Sequence, residues 1–322
     1  MVGKDQHLGA GNSIFILGSF VVACCVKVQR LPSAGESLRA DAFSLEAGGK
    51  GFNIAAGARR LGADVDGLLA VGDDFFASLA EAALAKMDLR HRMLVRQSAA
   101  TGAGVGFIDK EGENCIAVFP GANALLSANH VADAGERLTR ARLVIAQYEI
   151  GDEPIKAAFA AARRAGCLTI LNPSPYRAIH REILSSSDII IVNRIEASRL
   201  GRDLGMPDHH EDGDAGAFQA LAEALLGAGA SAVIVTLGGK GAIAWRNGLK
   251  PILQPAFAVE VVDTIGAGDA FTAGFATCMA ESGSFEEGLR WGAAAGACVT
   301  ASLGVLDALP TRPALEALLN RH

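Results

Sequence analysis

The sequence predicts an α/β fold, a mainly parallel sheet between helices, with a small β-sheet set apart from it. Three observations carry this expectation. From about residue 124 onward, short apolar runs alternate with amphipathic helical segments, as strands joined by crossover helices do. The runs at 143–146, 168–171, 189–192 and 232–236 are apolar almost throughout, as strands covered on both faces are. Earlier, residues 36–46 and a hairpin-like stretch up to residue 119 are mixed in character. They read as a separate, half-exposed sheet.

Taken in order, residues 1–13 are polar and glycine-rich and read as a loose tail. Residues 14–17 form the first core strand. Gly18-Ser19 breaks the run, and 20–28 continues as a second apolar strand. Residues 31–36 are a loop and 38–45 a short mixed strand. A glycine cluster at 48–51 precedes a helix over 54–61, and Gly62 ends it as a C-terminal glycine should. A strand over 65–71 and a helix over 73–86 follow. Residues 95–108 and 113–119 read as a hairpin around 109–112. A helix near 130–138 precedes the strand at 143–146, and a helix over 153–165, closed by Gly166, precedes 168–171. A helix near Arg181 leads to 189–192, and a helix over 218–226 leads to 232–236. A β-hairpin over 242–252 precedes a strand over 257–262. Helices over 270–281 and 285–301 and a terminal helix through 315–319 complete the chain. No internal repeat or long linker divides it, so residues 1–322 are expected to be one domain, with a lid from about 19–47 and 100–121.

Composition narrows the function classes. Half of the 322 residues are hydrophobic, enough for a sizeable core, and the 38 glycines are spread as turns rather than as a low-complexity tract. The formal net charge is −6 and no basic block stands out, which argues against nucleic acid as the main partner. A local anion site needs no basic protein, so a phosphorylated ligand stays open. Cys24, Cys25, Cys115, Cys167, Cys278 and Cys298 are scattered, without a Cys-x-x-Cys pair or nearby histidine pattern. They read as free thiols of a reducing, cytoplasmic compartment. The apolar run at 14–26 is too short to span a bilayer and lacks the marks of a signal peptide.

Five stretches carry chemistry. Asp263-Thr-Ile-Gly266-Ala267-Gly268-Asp269 places small residues between two carboxylates where a strand gives way to a helix. Free N–H groups at a helix start favour negative charge, and Asp269 is placed to take a proton from a hydroxyl. The plain alternative is a glycine turn with Asp269 as a helix cap. Gly48-Gly49-Lys50-Gly51-Phe52-Asn53 allows close backbone approach and offers Asn53 to a hydroxyl, or is simply a turn before a helix. Glu149, just past the strand at 143–146, could accept from a diol or be a solvated loop carboxylate. Asn193 and Glu196, three apart, could reach a phosphate-bound Mg²⁺, or could form a capping box. Thr236-Leu237-Gly238-Gly239-Lys240-Gly241 resembles a phosphate loop but lacks the Walker spacing. It is otherwise a hairpin turn.

In this order the motifs are far more specific than singly. The chain resembles the ribokinase family of sugar kinases, also called the PfkB family, along nearly all of its length. Asp263–Asp269 is similar to the family's C-terminal signature and Gly48–Asn53 to its N-terminal one. Pro120-Gly-Ala-Asn-Ala124 with Leu126-Ser127, Leu171-Asn-Pro-Ser-Pro175 and Asn193-x-x-Glu196 also match. The resemblance implies an ATP-dependent kinase for a primary hydroxyl of a small sugar, D-ribose giving D-ribose 5-phosphate foremost. Asp269 would be the base, and the N–H groups of Gly266, Ala267 and Gly268 the anion hole. Gly49, Lys50, Gly51, Asn53 and Glu149 would hold the sugar together with Asp269. Asn193, Thr236, Leu237, Gly238, Gly239, Lys240, Gly241 and Gly268 would bind the nucleotide, and Asn193 and Glu196 would organise Mg²⁺ through water. Asp263, Ile265, Val299, Ser302 and Gly304 would hold an activating monovalent cation, K⁺. The small sheet would be a lid over the sugar and the contact of a homodimer.

Three departures stand out. Where the family has Gly-Ser-x-Asn-x-Asp after the first strand, this chain has Gly18-Ser19-Phe20-Val21-Val22-Ala23. The sugar-binding Asn and Asp are thus Val21 and Ala23, which puts substrate choice in doubt. An adenine-side Asn corresponds to Ala293, and a cation-loop Ser to Ala308, beside Asp307. These departures favour, as an alternative, a kinase for another sugar, polyol or nucleoside. A non-catalytic sugar-binding protein on the same fold is a second alternative, opposed by the retained Asp269 and glycines. A dinucleotide-dependent oxidoreductase would want Gly-x-Gly-x-x-Gly after the first strand, which Gly18-Ser19-Phe20 does not supply.

Overall fold

The structure, a computed structural model, describes residues 11–111, 114–206, 215–302 and 304–321. Its strands are β1 (Ser13–Ser19), β2 (Val21–Lys27), β3 (Ala42–Gly48), β4 (Asp64–Val71), β5 (Leu94–Arg96), β6 (Gly102–Ile108) and β7 (Asn114–Phe119). They continue with β8 (Leu143–Gln147), β9 (Leu168–Asn172), β10 (Ile189–Asn193), β11 (Ala232–Thr236), β12 (Ala242–Arg246) and β13 (Ile252–Gln254). The helices are α1 (Lys50–Arg60), α2 (Phe75–Lys86), α3 (Ala128–Ala134), α4 (Glu136–Thr139), α5 (Asp152–Ala165) and α6 (Arg181–Ser185). They end with α7 (Arg194–Asp203), α8 (Gln219–Gly227), α9 (Ala267–Glu281), α10 (Phe285–Thr300) and α11 (Arg312–Leu319).

Nine strands share one sheet in the order β13-β12-β11-β10-β9-β8-β1-β4-β5. It is parallel except where β12 and β13 run antiparallel at one end. The expected α/β class is observed. Helices cover both faces because the strands are apolar on both: Ile14 and Ile16 of β1 join one core, Phe15 and Leu17 the other. The first core also takes in α1, α2, α9 and α10, and the second α3 and α5. A third lies where α7 and α8 cover β10, β11 and β12. The chain leaves β1 toward β4 and β5, and later fills the other flank from β8 onward. Strand order therefore reverses between β1 and β8, where open α/β sheets form a ligand crevice beyond their C-terminal ends.

The small sheet has the order β3-β2-β6-β7, within the expected lid. Opposite residues share a face of a sheet. Val21, Ala23 and Cys25 thus lie on one side with Gly104, Gly106, Ile116 and Val118. Phe43, Leu45, Val105 and Phe119 lie on the other.

Several boundaries differ from expectation. Residues 257–262 form no strand. Val261 is 64% exposed, and the Val262 N–H donates to the Thr300 carbonyl instead of a ladder. Helix α1 begins at Lys50, not residue 54, because Gly49 at φ 98° turns the chain directly into it. Helix α9 begins at Ala267, not residue 270, after Gly266 at φ 80°. Leu94–Arg96 joins the main sheet beside β4, so the lid hairpin starts only at Gly102. The strand expected at 38–45 is β3, shifted toward Gly48. The helix near 130–138 is two pieces broken at Gly135. Residues 1–10 of the expected tail and Gly112 of the expected turn lie outside the described residues, and Ser13 at the tail's end already begins β1.

Candidate active site

The site is assembled by two helix starts that converge. Along the α1–α9 contact, Gly57 faces Ala273 so closely that a Cβ on Gly57 would lie 2.8 Å from the Ala273 Cβ. One turn earlier on each helix stand Asn53 and Asp269. The Asn53 Nδ2 donates to Asp269 Oδ2 at 2.9 Å, and Lys50 Nζ lies 3.4 Å from Asp269 Oδ1. Asp269 is 4% exposed. It does not cap α9: Gly266 holds that position and Asp269 stands in the first turn. Asn53 Oδ1 is buried with no hydrogen-bond partner among the described residues, leaving an acceptor open to a hydroxyl.

The Lys50 ammonium is held charged. Burial alone would depress its pKa, but Asp269, Glu149 and Glu196 together outweigh this and raise it. Glu149 is fixed from behind. Its Oε2 accepts from the Ser19 hydroxyl at 2.5 Å and from the Lys50 N–H at 2.8 Å. The buried Ser19 Oγ in turn accepts from Gln147 Nε2 at 2.9 Å and the Gly51 N–H at 3.3 Å. The Gln147 Oε1 accepts from the Glu149 N–H. Glu149 Oε1 has no partner among the described residues. Gly18 and Gly51 permit this junction, since a Cβ on Gly51 would lie 2.4 Å from the Ser19 nitrogen.

On the other side of Asp269 opens a cavity of about 570 Å³. Asn193, Thr236, Gly238, Gly239, Gly241 and Gly268 line it, as the sequence suggested for a nucleotide. Leu237 does not reach it, being buried in the core, and Lys240 lies off its wall. The far wall is apolar, with Phe257, Val259, Ala293 and Ala297. The run 257–262 therefore supplies Phe257, Ala258, Val259 and Val261 to a cavity wall instead of a sheet. At the near end, the Gly266 and Gly268 N–H groups have no partner among the described residues. The Ala267 N–H donates to the Thr264 carbonyl at 3.3 Å.

Asn193 and Glu196 form the capping box of α7, each accepting the other's backbone N–H at 2.9 Å. Glu196 Oε1 is left without a partner among the described residues. No cluster of three His, Cys, Asp or Glu able to hold a metal is present among them. This donor set fits Mg²⁺ bound through water and phosphate oxygens, its usual mode, and not an all-protein cage. Of the residues named for K⁺, Asp263 is tied to the end of α10 through its N–H and the Thr300 carbonyl at 3.2 Å. Its Oδ1 accepts the Ile265 N–H at 3.0 Å, and Ser302 N–H donates to the Val299 carbonyl. Gly304 approaches the lid instead, where a Cβ would stand 3.9 Å from Glu46 Oε2. Asp307 is drawn away to Lys86 at 2.7 Å.

Ser19 and Gln147 were not singled out from sequence. Ser19 read as a strand break, although a Ser after an apolar strand with a Glu beyond a second strand was the available signal. No described helix is long and apolar enough to cross a membrane.

Comparison with known proteins agrees with this geometry. Residues 12–312 match the profile of the pfkB family carbohydrate kinases. The chain is 32% identical over 303 residues to the ribokinase of Haemophilus influenzae, covering 94% of this chain and 96% of that protein. It is 33% identical over 280 residues to the deoxyribokinase of Salmonella typhi, covering 86% and 89%. The structure of Arabidopsis thaliana ribokinase complexed with ribose and ATP superposes with a TM-score of 0.87 at 31% identity, covering 96% of this chain and 99% of that one.

Proposed function

This chain belongs to the pfkB family of carbohydrate kinases and is an ATP-dependent enzyme, and we propose that it phosphorylates the primary hydroxyl of a small ribose-like sugar, D-ribose first. The observation that carries the reading is Asp269, buried at the start of α9 with Asn53 and Lys50 on its carboxylate. Asp269 takes the proton of the hydroxymethyl group as its oxygen attacks the γ-phosphorus of ATP. The bond to the bridging oxygen breaks, ADP leaves, and the sugar carries the phosphate. Gly266 and Gly268 donate their free N–H groups to the transferred oxygens, with Ala267 beside them. The start of α9 favours the charge there. Lys50, Asn53 and Glu149 hold the sugar against Asp269, with Gly49 and Gly51 giving the backbone approach.

The cavity between Asn193 and Ala297 takes the nucleotide. Thr236, Gly238, Gly239 and Gly241 form its rim. Asn193 and Glu196 would hold Mg²⁺ through water, and the ion would supply charge neutralisation to the phosphates. Asp263 with the carbonyls of Ile265 and Val299 forms the candidate K⁺ site. The whole chain acts as one catalytic domain. The outward lid face, with Phe43 64% and Phe119 55% exposed, packs on a second copy. A kinase for another sugar, polyol or nucleoside is the second reading, favoured by Val21 and Ala23.

The test is ADP release over pentoses, hexoses, polyols and nucleosides, with and without K⁺. Asp269→Asn should lower kcat by on the order of 10²- to 10⁴-fold while sugar binding, read by ligand-induced stabilisation, persists. A near-normal kcat in that variant removes Asp269 as the base.

A further inference from the structure

We propose that Arg194 binds the phosphates of the nucleotide. This rests on the reading of the cavity beside Asp269 as the nucleotide site, and adds to it a residue that lies between Asn193 and Glu196. Of the residues that line this cavity of about 570 Å³, Arg194 alone carries a charge. ATP brings several negative charges into the same space, and Lys240 lies off its wall.

Arg194 stands where the chain leaves β10 for α7. Asn193 pairs with Thr236 at the ends of β10 and β11, and both line the cavity together with Arg194. Thr264 and Gly268, at the approach to α9, face the same space. These polar residues mark the phosphate end. The apolar wall of Phe257, Val259, Ala293 and Ala297 suits the base.

The fold itself gives this charge no use. Arg194 is the first residue of α7, and a cation at a helix start is disfavoured by the helix dipole. A nearby carboxylate would offset that cost, but the guanidinium has none. Among the described residues it makes no hydrogen bond and no ion pair. Arg137, Arg177, Arg246 and Arg312, by contrast, each meet a carboxylate. Glu196, two positions on, spends its Oε2 on the Asn193 N–H. Arg194 is half-buried, so its stem is covered while its fork of donors stays open. Such a fork pairs with phosphate oxygens through two parallel N–H groups. A bound phosphate also turns the helix start from a cost into a gain, because the dipole favours the anion there.

The full chain is titrated with ADP and Mg²⁺ by calorimetry, and its KM for ATP is measured with the acceptor the wild type turns over best. Adenosine is added as a competitor of ATP. Arg194→Gln keeps the helix propensity and removes the charge. It should weaken ADP and raise the KM for ATP by on the order of tenfold, the loss of one charge-assisted hydrogen bond. Inhibition by adenosine, which has no phosphate, should not change. Arg199→Gln removes the same charge from an exposed position of α7 that does not line the cavity, and should alter neither constant. Without nucleotide, Arg194→Gln should melt no lower than wild type, since a charge disfavoured at the helix start is gone. An ADP affinity within about twofold of wild type, less than one such bond is worth, overturns the proposal. So does an equal weakening of adenosine, which makes Arg194 a contact of the base. A lowered melting temperature without nucleotide overturns it as well, giving the side chain to the fold. The ADP titration needs no acceptor, so a chain that turns over no sugar overturns the acceptor reading and leaves this test standing.

Discussion

Gly57→Ala is expected to damage catalysis far more than folding. Gly57 stands mid-helix in α1, where Ala is favoured over Gly by about 1 kcal/mol. The new methyl would lie 2.8 Å from the Ala273 Cβ and 3.4 Å from a Leu309 methyl. Carbon atoms rest at about 3.5–4.0 Å, so Leu309 barely moves but α1 and α9 must part by about 1 Å. Such overpacking costs about 1–3 kcal/mol. The two terms nearly offset, and stability should fall by no more than about 2 kcal/mol. The same 1 Å opens the 2.9 Å bond between Asn53 and Asp269 one turn above, beyond hydrogen-bond reach. Misplacement of that size at reacting groups costs on the order of 10²-fold in rate. Urea unfolding gives the first quantity and steady-state ADP release the second. A variant with wild-type stability and kcat/KM within about threefold of wild type would refute the idea that this helix contact sets the Asn53–Asp269 geometry, since the expected loss is on the order of 10²-fold.

Three further expectations follow from other parts of the molecule. Ser19→Ala removes the hydroxyl that ties Gln147 and Gly51 to Glu149. It should cost about 1–3 kcal/mol of stability and raise the sugar KM several-fold, by about the worth of one hydrogen bond, with kcat little changed; steady-state kinetics separates the two. Asp66, nearly buried among Arg90, Arg92 and Arg137, has its carboxyl held below the ordinary 3.8. Burial opposes this but is outweighed by Arg137, the Gly67 N–H and Arg92. A lowered folded pKa stabilises above the unfolded value and is lost as pH falls through the folded one. Asp66→Asn should therefore be less stable than wild type at pH 7, a gap that narrows in melts as pH falls below the ordinary carboxylate range. Phe43→Glu, on the outward lid face, should shift the chain from dimer to monomer in sedimentation. An unchanged dimer places the contact elsewhere.

The elements most legible in the sequence were those whose burial forces a pattern. The strands β8 to β11 are covered on both faces, so their apolar runs stand out, and Asp263–Asp269 became recognisable through its order with the other motifs. The boundaries missed lie where glycine acts as a starter. Gly49 and Gly266 read as turn residues some way ahead of each helix, yet at φ 98° and 80° they turn the chain straight into α1 and α9. Lys50 and Asp269 consequently sit inside helices, where N–H groups and side chains aim together. Residues 257–262 show the reverse error: their apolar residues mark a covered side, and a cavity wall meets that condition as well as a sheet does. At Asn193 and Glu196 the two readings offered by spacing do not compete. The capping box uses one oxygen of Glu196 and leaves the other without a partner among the described residues, so a cap needed by α7 also fixes a potential ligand.

What spacing could not reveal is the partner of each small residue. Gly57 and Ala273 are 216 positions apart, and nothing local marks either as a contact. Their closeness depends on α1 and α9 lying on the same face of the sheet, where both belong to the first core. Once the two helices share that face, a four-residue step back from the contact carries both chains to Asn53 and Asp269. The Asn53–Asp269 pair is thereby placed by the packing of two small residues, Gly57 and Ala273, that carry no chemistry. In the lid, Gly102 at the start of β6 is closely packed, a Cβ there lying 2.3 Å from Asn123 Nδ2, whereas a Cβ on Gly104 would meet only Val21 Cγ1, at 3.8 Å. On the proposed reading, a substitution at Gly104 leaves the helix contact beside Asp269 untouched, whereas one at Gly57 cannot leave Asp269 alone.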